Sequence, residues 1–325
     1  MKTLRAKVIQ TTAVLLGATF IAGCGGGGGG SVTQGAIDLI ADYAHSNANP
    51  VPTTQDYSDA GVTGVSADNL AAANAMVDKG VGADYDTATE IQALIDLIGA
   101  KAVPDRNFGD GEHDFIYGVV TNATTGKTWL NNNLGARYAD SDDGNFDPKQ
   151  QATSPTDFLA YGSLFQWGRK ADGHELIIRG GMSMPKYSST SIKSNVPTNN
   201  LFITSTSNPF DWRINQNTSL WLGSSAINNV CPVGYRVPNL GEFNAEAASW
   251  TSLNTLGAFG SNEAWTANGL RNYNNASLAW GSATGYYWTS NVSGTWSTFG
   301  YFSSASAGSN SSSRAYGMAV RCIKN

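Results

Sequence analysis

Charged residues, cysteine and histidine are all scarce in this chain of 325 residues. Only 14% of its residues are Asp, Glu, Lys or Arg, against about 25% in an ordinary soluble domain. With three cysteines and three histidines, few side chains could form a thiol–histidine pair or a histidine metal site. Acidic residues outnumber basic ones by 25 to 20, which disfavours a basic surface that binds nucleic acid.

Apolar and small polar residues take the place of the missing charge. Hydrophobic residues make up 41% of the chain, which includes 9 Trp, 13 Tyr and 12 Phe. The remainder is rich in Gly, Ser, Asn and Thr, a balance typical of turn-rich β structure. The length allows two folded units in addition to terminal segments.

Residues 1–23 have the pattern of an export signal. They begin with the basic residues Lys2, Arg5 and Lys7, and an apolar run extends from Val8 to Ala22. This run is shorter than the ~20 apolar residues of a membrane-spanning helix. The sequence therefore predicts a signal peptide, and its removal leaves 17 basic and 25 acidic residues, a net charge of −8.

The end of this signal, Phe20 to Cys24, resembles the lipobox of bacterial lipoproteins. The resemblance implies cleavage before Cys24 and lipidation of its thiol, with residues 24–32, which include six consecutive glycines, as a flexible tether. Glycines rather than acidic residues directly follow Cys24, so the inner-membrane retention signal of such lipoproteins is missing. We therefore expect an exported protein anchored by lipid to the bacterial outer membrane and displayed at the cell surface. The alternative is a secretory signal that ends by chance in a cysteine.

Residues 33–103 are predicted to form a small helical spacer module of three short helices. The first has Ala36, Ile37, Ile40 and Tyr43 on one face, and the second follows Ser66 and ends at Gly80. The third begins at the capping box of Thr87 and Glu90 and ends at Gly99. The segment from Asn47 to Gly64 contains two prolines and two glycines, which predicts a loop. Nothing in the module indicates catalysis.

Residues 104–325 have a different pattern, with short apolar runs separated by Gly, Asn, Asp and Ser. This pattern predicts short strands with long connections. Cys231 and Cys322 remain in this part after lipidation of Cys24. In an exported protein such a pair predicts a disulfide, which would tie the last strand to the strand near Tyr235. A catalytic thiol is the alternative.

Several motifs in this part of the chain point to one family. They are TGKTWL at 125–130, NLG at 133–135, AYGSLFQWGRKADG at 160–173, CPVGYRVPNLGEF at 231–243, GYYWTSN at 285–291 and RAYGMAVRC at 314–322. Together they resemble the Fibrobacter succinogenes major paralogous domain over about Asp114 to Asn325. The resemblance implies an α+β fold, with a C-type-lectin-like domain at 104–325 after the helical module.

Relatives with this fold imply different functions. Tyr235 to Pro238 followed by Glu242 and Phe243 resembles the core motif of formylglycine-generating enzymes. Those enzymes need reactive thiols, whereas Cys231 and Cys322 fit a structural bridge better. The EPN- or QPD-like loop and the WND-like strand of calcium-dependent lectins are absent from the sequence, as are P-loop, dinucleotide, HExxH and nucleophile-elbow motifs. We therefore predict no enzyme and no cofactor.

The third kind of relative is the variable protein of diversity-generating retroelements. Residues 270–316 form a candidate variable region, crowded with Asn, Ser, Tyr, Ala, Thr and Gly. Tyr and Trp give large contact areas at low entropy cost, and Ser and Asn give adaptable hydrogen bonds. The predicted ligand-binding residues are Tyr273, Trp280, Tyr286, Trp296, Phe299, Tyr301, Ser303, Ser309, Asn310, Ser312 and Tyr316. A core location is the alternative for Tyr286 and Phe299, and Trp129, Trp288, Phe302 and Val320 are assigned to the core.

The predicted function is therefore binding of an unknown ligand, a protein or glycan on another cell, a phage or a surface. An envelope enzyme and a purely structural envelope protein remain alternatives. The acidic stretch from Asp140 to Asp147 invites a calcium site, but its spacing does not match an EF-hand. We interpret it as a solvated acidic turn, and Asp105 to Gly111 fails the same pattern.

Overall fold

A computed structural model describes residues 33–46, 49–79, 85–105, 114–177 and 187–325. The predicted signal peptide at 1–23, the lipidated Cys24 and the tether at 24–32 lie outside the described residues, as do Gly80 and His113.

Helices form a minor part of the described chain. They are α1 (Gln34–His45), α2 (Thr54–Asp59), α3 (Leu70–Val77), α4 (Ala88–Ile98), α5 (Leu240–Ala248) and α6 (Thr255–Phe259). None of these helices has the length and apolar character needed to cross a bilayer.

The strands are short and most of them pair antiparallel. They are β1 (Ala102–Asp105), β2 (Phe115–Thr121), β3 (Thr128–Leu130), β4 (Phe165–Gln166), β5 (Tyr187–Ser188), β6 (Phe202–Ile203), β7 (Tyr235–Arg236), β8 (Leu270–Arg271), β9 (Leu278–Ala279), β10 (Gly285–Ser293), β11 (Trp296–Phe302), β12 (Ala307–Ser312), β13 (Gly317–Met318) and β14 (Ile323–Lys324). The protein is thus mixed α/β, with few helices and several antiparallel sheets, as predicted at this coarse level.

The helical module has the apolar face and the cap that the sequence indicates. α1 buries Ala36, Ile37, Ile40 and Tyr43. α4 begins with the predicted capping box, in which Thr87 accepts a hydrogen bond from the Glu90 amide and the Glu90 carboxylate accepts one from the Thr87 amide. Two of the three predicted helix signals are therefore confirmed in detail.

The prediction of a plain loop between the first two predicted helices is wrong, because α2 lies inside it. Thr53 and Asp56 form a second capping box at the start of α2. The buried Tyr57 then donates a hydrogen bond to the Asn74 side chain of α3, at 2.8 Å. A reciprocal cap and one buried aromatic ring are thus enough to stabilise a helix of six residues.

Four sheets form the rest of the fold. Their strand orders are β1-β2-β3-β14-β7, β10-β11-β12, β4-β13-β8-β9 and β5-β6. The predicted boundary between residues 103 and 104 falls inside β1, and Ala102 and Ile116 pack in the helical core. The helical module therefore shares apolar contacts with the five-stranded sheet.

Buried tryptophans and a disulfide hold the larger core together. The rings of Trp167 and Trp221 pack with centroids 5.8 Å apart. The predicted bridge between Cys231 and Cys322 is confirmed, and both residues are buried. It lies beside the pairing of β14 with β7, so the end of the chain is fixed where the sequence predicts.

Candidate binding face

The three-stranded sheet β10-β11-β12 carries most of the predicted ligand-binding residues. Tyr286 of β10 lies directly opposite Tyr301 of β11, so both rings project from one face of the sheet. Phe302 projects from the opposite face, where it is fully buried and packs edge-on against Trp250 at 5.6 Å. The sequence FGYFS at 299–303 predicts this alternation of Tyr301 and Phe302 between the two faces, and the structure confirms it.

The four residues assigned to the core by sequence are all fully buried, which confirms that assignment. They are Trp129, Trp288, Phe302 and Val320. α5 supports the inner face of this sheet, because the Phe243 ring lies so close to Gly300 that a Cβ atom there would overlap it. The inner face of this sheet is therefore packed against α5.

Four half-buried tyrosines, which we call the tyrosine row, line one side of this sheet and the adjoining turns. They are Tyr273, Tyr316, Tyr286 and Tyr301. The Tyr273 and Tyr316 rings meet with centroids 4.7 Å apart. Burial raises the pKa of Tyr316, and the neighbouring Tyr273 and Tyr286 raise it further. Burial likewise raises the pKa of Tyr286, with Tyr301 adding to the effect.

Phe299 is a correction to the predicted site, because only 8% of it is exposed. Its ring lies between Trp288 and the row, with centroids 6.1 Å from Trp288, 6.0 Å from Tyr286 and 6.3 Å from Tyr301. Phe299 projects from the same face as Tyr301, and its buried ring packs beside both tyrosines and so supports the tyrosine row. The core alternative holds for this residue.

Trp280 is exposed and lies in a tightly fixed turn. It is 63% exposed and has a φ of 60°, in the left-handed region that non-glycine residues seldom adopt. Its carbonyl accepts hydrogen bonds from the amides of Ala283 and Thr284, each at 3.1 Å. Ser282, also at positive φ, accepts a hydrogen bond from the Tyr161 hydroxyl at 3.2 Å. A strained backbone held by several hydrogen bonds is typical of functional positions.

The structure separates the remaining predicted residues into two groups. Asn310 and Ser312 of β12 lie opposite Phe299 and Ser297, on the same face as Tyr301. Ser309 lies opposite Gly300, so alternation directs its side chain to the other face.

Trp296 and Ser303 also lie away from the tyrosine row. Trp296 is 47% exposed at the turn of the β10–β11 hairpin, and alternation places it on the face opposite Tyr301. The Ser303 hydroxyl closes the β11–β12 turn, since it accepts from the amides of Ala305 and Ser306. These two residues and Ser309 are therefore not grouped with the tyrosine row.

Two residues of this face were not predicted from the sequence. Phe210 packs on Tyr273 with centroids 5.2 Å apart. Gly308 lies opposite Tyr301, and the Tyr301 ring lies over it, since a Cβ atom there would be in ordinary contact with the Tyr301 hydroxyl at 3.4 Å. No motif or periodicity in the sequence indicates that Phe210 contributes to this face.

The chain segment that carries the tyrosine row has no exposed charge. From Ala264 to Ile323 the charged residues are Arg271, Arg314 and Arg321, and each is at most 1% exposed. The Arg314 guanidinium lies over the Trp167 ring at 4.8 Å, and that of Arg321 lies over Trp265 at 5.0 Å. This segment therefore offers aromatic rings, hydroxyls and amides to a ligand.

The residues that resemble an enzyme motif are engaged in the fold. Arg236 donates to both oxygens of Glu242, at 2.7 and 2.6 Å. Glu242 in turn caps α5 by accepting from the Asn239 amide at 2.8 Å. Because Cys231 and Cys322 are joined and buried, neither supplies a free thiol beside this pair.

Basic side chains pair with carboxylates of the acidic stretch from Asp140 to Asp147. Asp143 accepts two hydrogen bonds from Arg137, at 2.6 and 3.2 Å. Asp142 pairs with Lys79 at 3.0 Å, and Asp140 accepts from the Asp142 amide. The carboxylates of Asp142 and Asp143 are thus paired with basic side chains, and Lys79 links the turn to the helical module.

One buried cluster has the residue types of a metal site. The ligand atoms of Asp172, His174 and Glu175 all lie within 4.8 Å of one another. His174 Nδ1 is 2.7 Å from Asp172 and 3.1 Å from Glu175, while Nε2 accepts from the Gln166 amide at 3.0 Å. Both ring nitrogens already have partners, so the cluster acts as a hydrogen-bonded element of the core.

No protein-family model, no curated protein and no solved structure matches this chain.

Proposed function

We propose that this protein is a surface-displayed binding protein, and that the tyrosine row with Trp280, Asn310 and Ser312 contacts a protein or a glycan. The observation that carries the proposal is the row itself. Partly exposed rings on a packed sheet lose little side-chain entropy when a partner covers them. Burial of one such anchor contributes about 2 kcal/mol or more when it acts as a hot spot.

The absence of exposed charge favours one kind of ligand. A face of rings, hydroxyls and amides complements a flat, neutral protein surface, because no ion pair has to be desolvated. Sugars also stack on exposed aromatic rings, so a glycan is the second ligand class. Of the two, a protein epitope suits this row better, because the rings lie along a sheet and its adjoining turns rather than in a groove.

Three further expectations from the sequence are part of this proposal. They are a C-type-lectin-like fold related to the paralogous domain, a lipid anchor at Cys24 in the outer membrane, and diversification of residues 270–316 by a retroelement. An adjacent near-repeat of the coding sequence that differs only at adenines, with a reverse transcriptase gene nearby, would support diversification. A flanking region without that repeat would reject it.

Photocrosslinking tests the binding role even though the ligand has not been identified. We would replace Tyr301 with benzoylphenylalanine in the full chain in its native cells, irradiate them together with neighbouring cells, and identify adducts by mass spectrometry. The matched control is the same substitution at Tyr187, which is 56% exposed on β5 and lies outside the face. A glycan array tests the second ligand class.

The proposal predicts one dominant adduct at position 301 that is absent at position 187 and is lost when Tyr316→Ala is added. Equal adducts at both positions, or none at position 301 together with an inert glycan array, would contradict it. The envelope-enzyme and structural alternatives both predict the contradicting result.

A further inference from the structure

A cavity of about 840 Å³ opens between the helical module and the five-stranded sheet, on strands other than those of the tyrosine row. Its size lies within the range of small-molecule sites, about 300–1,000 Å³. Leu70, Val103 and Val119 contribute apolar walls. Val51 and Val233 stand at its edge and are 57% and 92% exposed. The cavity thus joins an apolar interior to apolar surface that faces water.

One row of polar side chains crosses the sheet side of this cavity. Thr121 pairs with Thr128, and Lys324 pairs with Tyr235. Because Ile323 pairs with Trp129, Lys324 stands next to Thr128 on the neighbouring strand. Four adjacent strands therefore direct two hydroxyls, an ammonium group and a phenol to the same side.

Two of the lining tyrosines have hydroxyls without a hydrogen-bond partner among the described residues. Tyr43 and Tyr235 are 6% and 5% exposed, and both line the cavity. Neither hydroxyl forms a hydrogen bond within the described part of the chain. Neither hydroxyl oxygen is sealed from solvent, so both can donate a hydrogen bond to an acceptor group of a ligand in the cavity.

The charges that line the cavity favour an anion. They are Lys101, Lys324 and Asp68. Neither lysine forms an ion pair with a carboxylate of the described residues. Two ammonium groups against one carboxylate give a net positive lining in a protein whose overall charge is negative.

We propose that this cavity binds a single-chain amphiphilic carboxylate. The hydrocarbon chain lies along Leu70, Val103 and Val119 and covers Val233 at the edge. The carboxylate accepts hydrogen bonds from Lys324 and from the hydroxyls of Tyr235 and Thr128. The site is independent of the tyrosine row, so each of the two proposals can fail alone.

Calorimetric titration of the full chain with decanoate, below its critical micelle concentration, tests this site. Decyltrimethylammonium, with the same chain and a cationic head, is the matched probe. Lys324→Met removes the ammonium group at an exposed position and keeps an apolar side chain of similar length. Ala71→Trp fills the cavity from an exposed position of α3, and Lys193→Met removes an exposed lysine that does not line it.

We expect saturable binding of one decanoate, at least tenfold weaker in Lys324→Met, absent in Ala71→Trp and unchanged in Lys193→Met. Decyltrimethylammonium should not bind. Non-saturable uptake of decanoate, equal affinity of Lys324→Met and Lys193→Met, or equal binding of the cationic probe would each overturn the proposal. The comparison of Lys324→Met with Lys193→Met remains decisive if Ala71→Trp fails to fold, because neither lysine substitution alters a buried side chain.

Discussion

The Tyr273 ring packs edge-on against the Tyr316 ring, with centroids 4.7 Å apart and planes inclined by 67°. The two residues come from different connections, one between β8 and β9 and the other between β12 and β13. This contact joins two loops into one aromatic surface next to Tyr286. Aromatic pairs of this geometry contribute about 0.5–1.5 kcal/mol beyond the burial of their area.

Phe299 and Tyr301 should differ sharply in their contribution to stability. Phe299→Ala removes a buried ring and leaves a cavity, so we expect a loss of about 3–5 kcal/mol in the free energy of unfolding. Tyr301→Ala truncates a half-buried ring and should cost about 1 kcal/mol. Urea unfolding of both variants measures the difference. Equal losses would show that the two rings are equally buried and would contradict the described face.

Solvent access to the tryptophans tests the surface independently of any ligand. Trp280 and Trp296 are 63% and 47% exposed, while the other seven tryptophans are at most 7% exposed. The double variant Trp280→Phe, Trp296→Phe should therefore lose most of the fluorescence that acrylamide quenches, and Trp250→Phe should lose none of it. Unchanged quenching in the double variant would place those two rings inside the protein.

Replacement of both disulfide cysteines should destabilise the protein. The native wild type should contain no reactive thiol at these two positions. The bridge closes a loop of 91 positions, and its removal by Cys231→Ala with Cys322→Ala should cost about 2–5 kcal/mol. Urea unfolding measures this cost. Iodoacetamide should leave both cysteines of the folded protein unmodified, as judged by mass spectrometry. Uptake of iodoacetamide by native protein would instead favour the envelope-enzyme alternative.

A buried carboxyl pair should make stability depend on pH. Burial, with a further contribution from the neighbouring Glu263, raises the pKa of Glu246 to about 8. The folded protein therefore holds a proton that the unfolded chain releases near pH 4.3. This stabilisation is complete below that pH and is lost as the pH rises towards 8.

The variant Glu246→Gln isolates this effect, because an amide keeps the shape of the protonated acid. The wild-type free energy of unfolding should fall between pH 5 and pH 8, and that of Glu246→Gln should fall less. Urea unfolding at both pH values gives the comparison, with Asp42→Asn as a control for an exposed carboxylate. An equal fall in the free energy of unfolding of wild type and Glu246→Gln would show that Glu246 does not hold this proton in the folded protein.

Local signals in the sequence predict the elements that depend on neighbouring residues. The capping box of Thr87 and Glu90, the spacing of Ile37 and Ile40, and the alternation of Tyr301 and Phe302 each act within a few residues. α2 was missed because Pro50 and Pro52 suggest a loop, whereas the cap on Thr53 acts after them.

Contacts between distant segments could not be predicted in the same way. Phe299 shares the face of Tyr301, and its burial comes from Trp288 on the neighbouring strand. The meeting of Tyr273 with Tyr316 depends on the pairing of β8 with β13. The cavity beside Lys324 is formed by helices and strands far apart in sequence.

The affinity of the ligand captured at position 301 tests the binding role most directly. Dissociation constants would be measured by calorimetry for the wild type, Tyr301→Ala and the exposed control Tyr187→Ala. Loss of a hot-spot anchor worth about 2 kcal/mol corresponds to roughly a thirtyfold change. We predict that Tyr301→Ala weakens binding by at least this factor while Tyr187→Ala binds as the wild type does. Equal affinities for all three proteins would contradict a binding role for the tyrosine row.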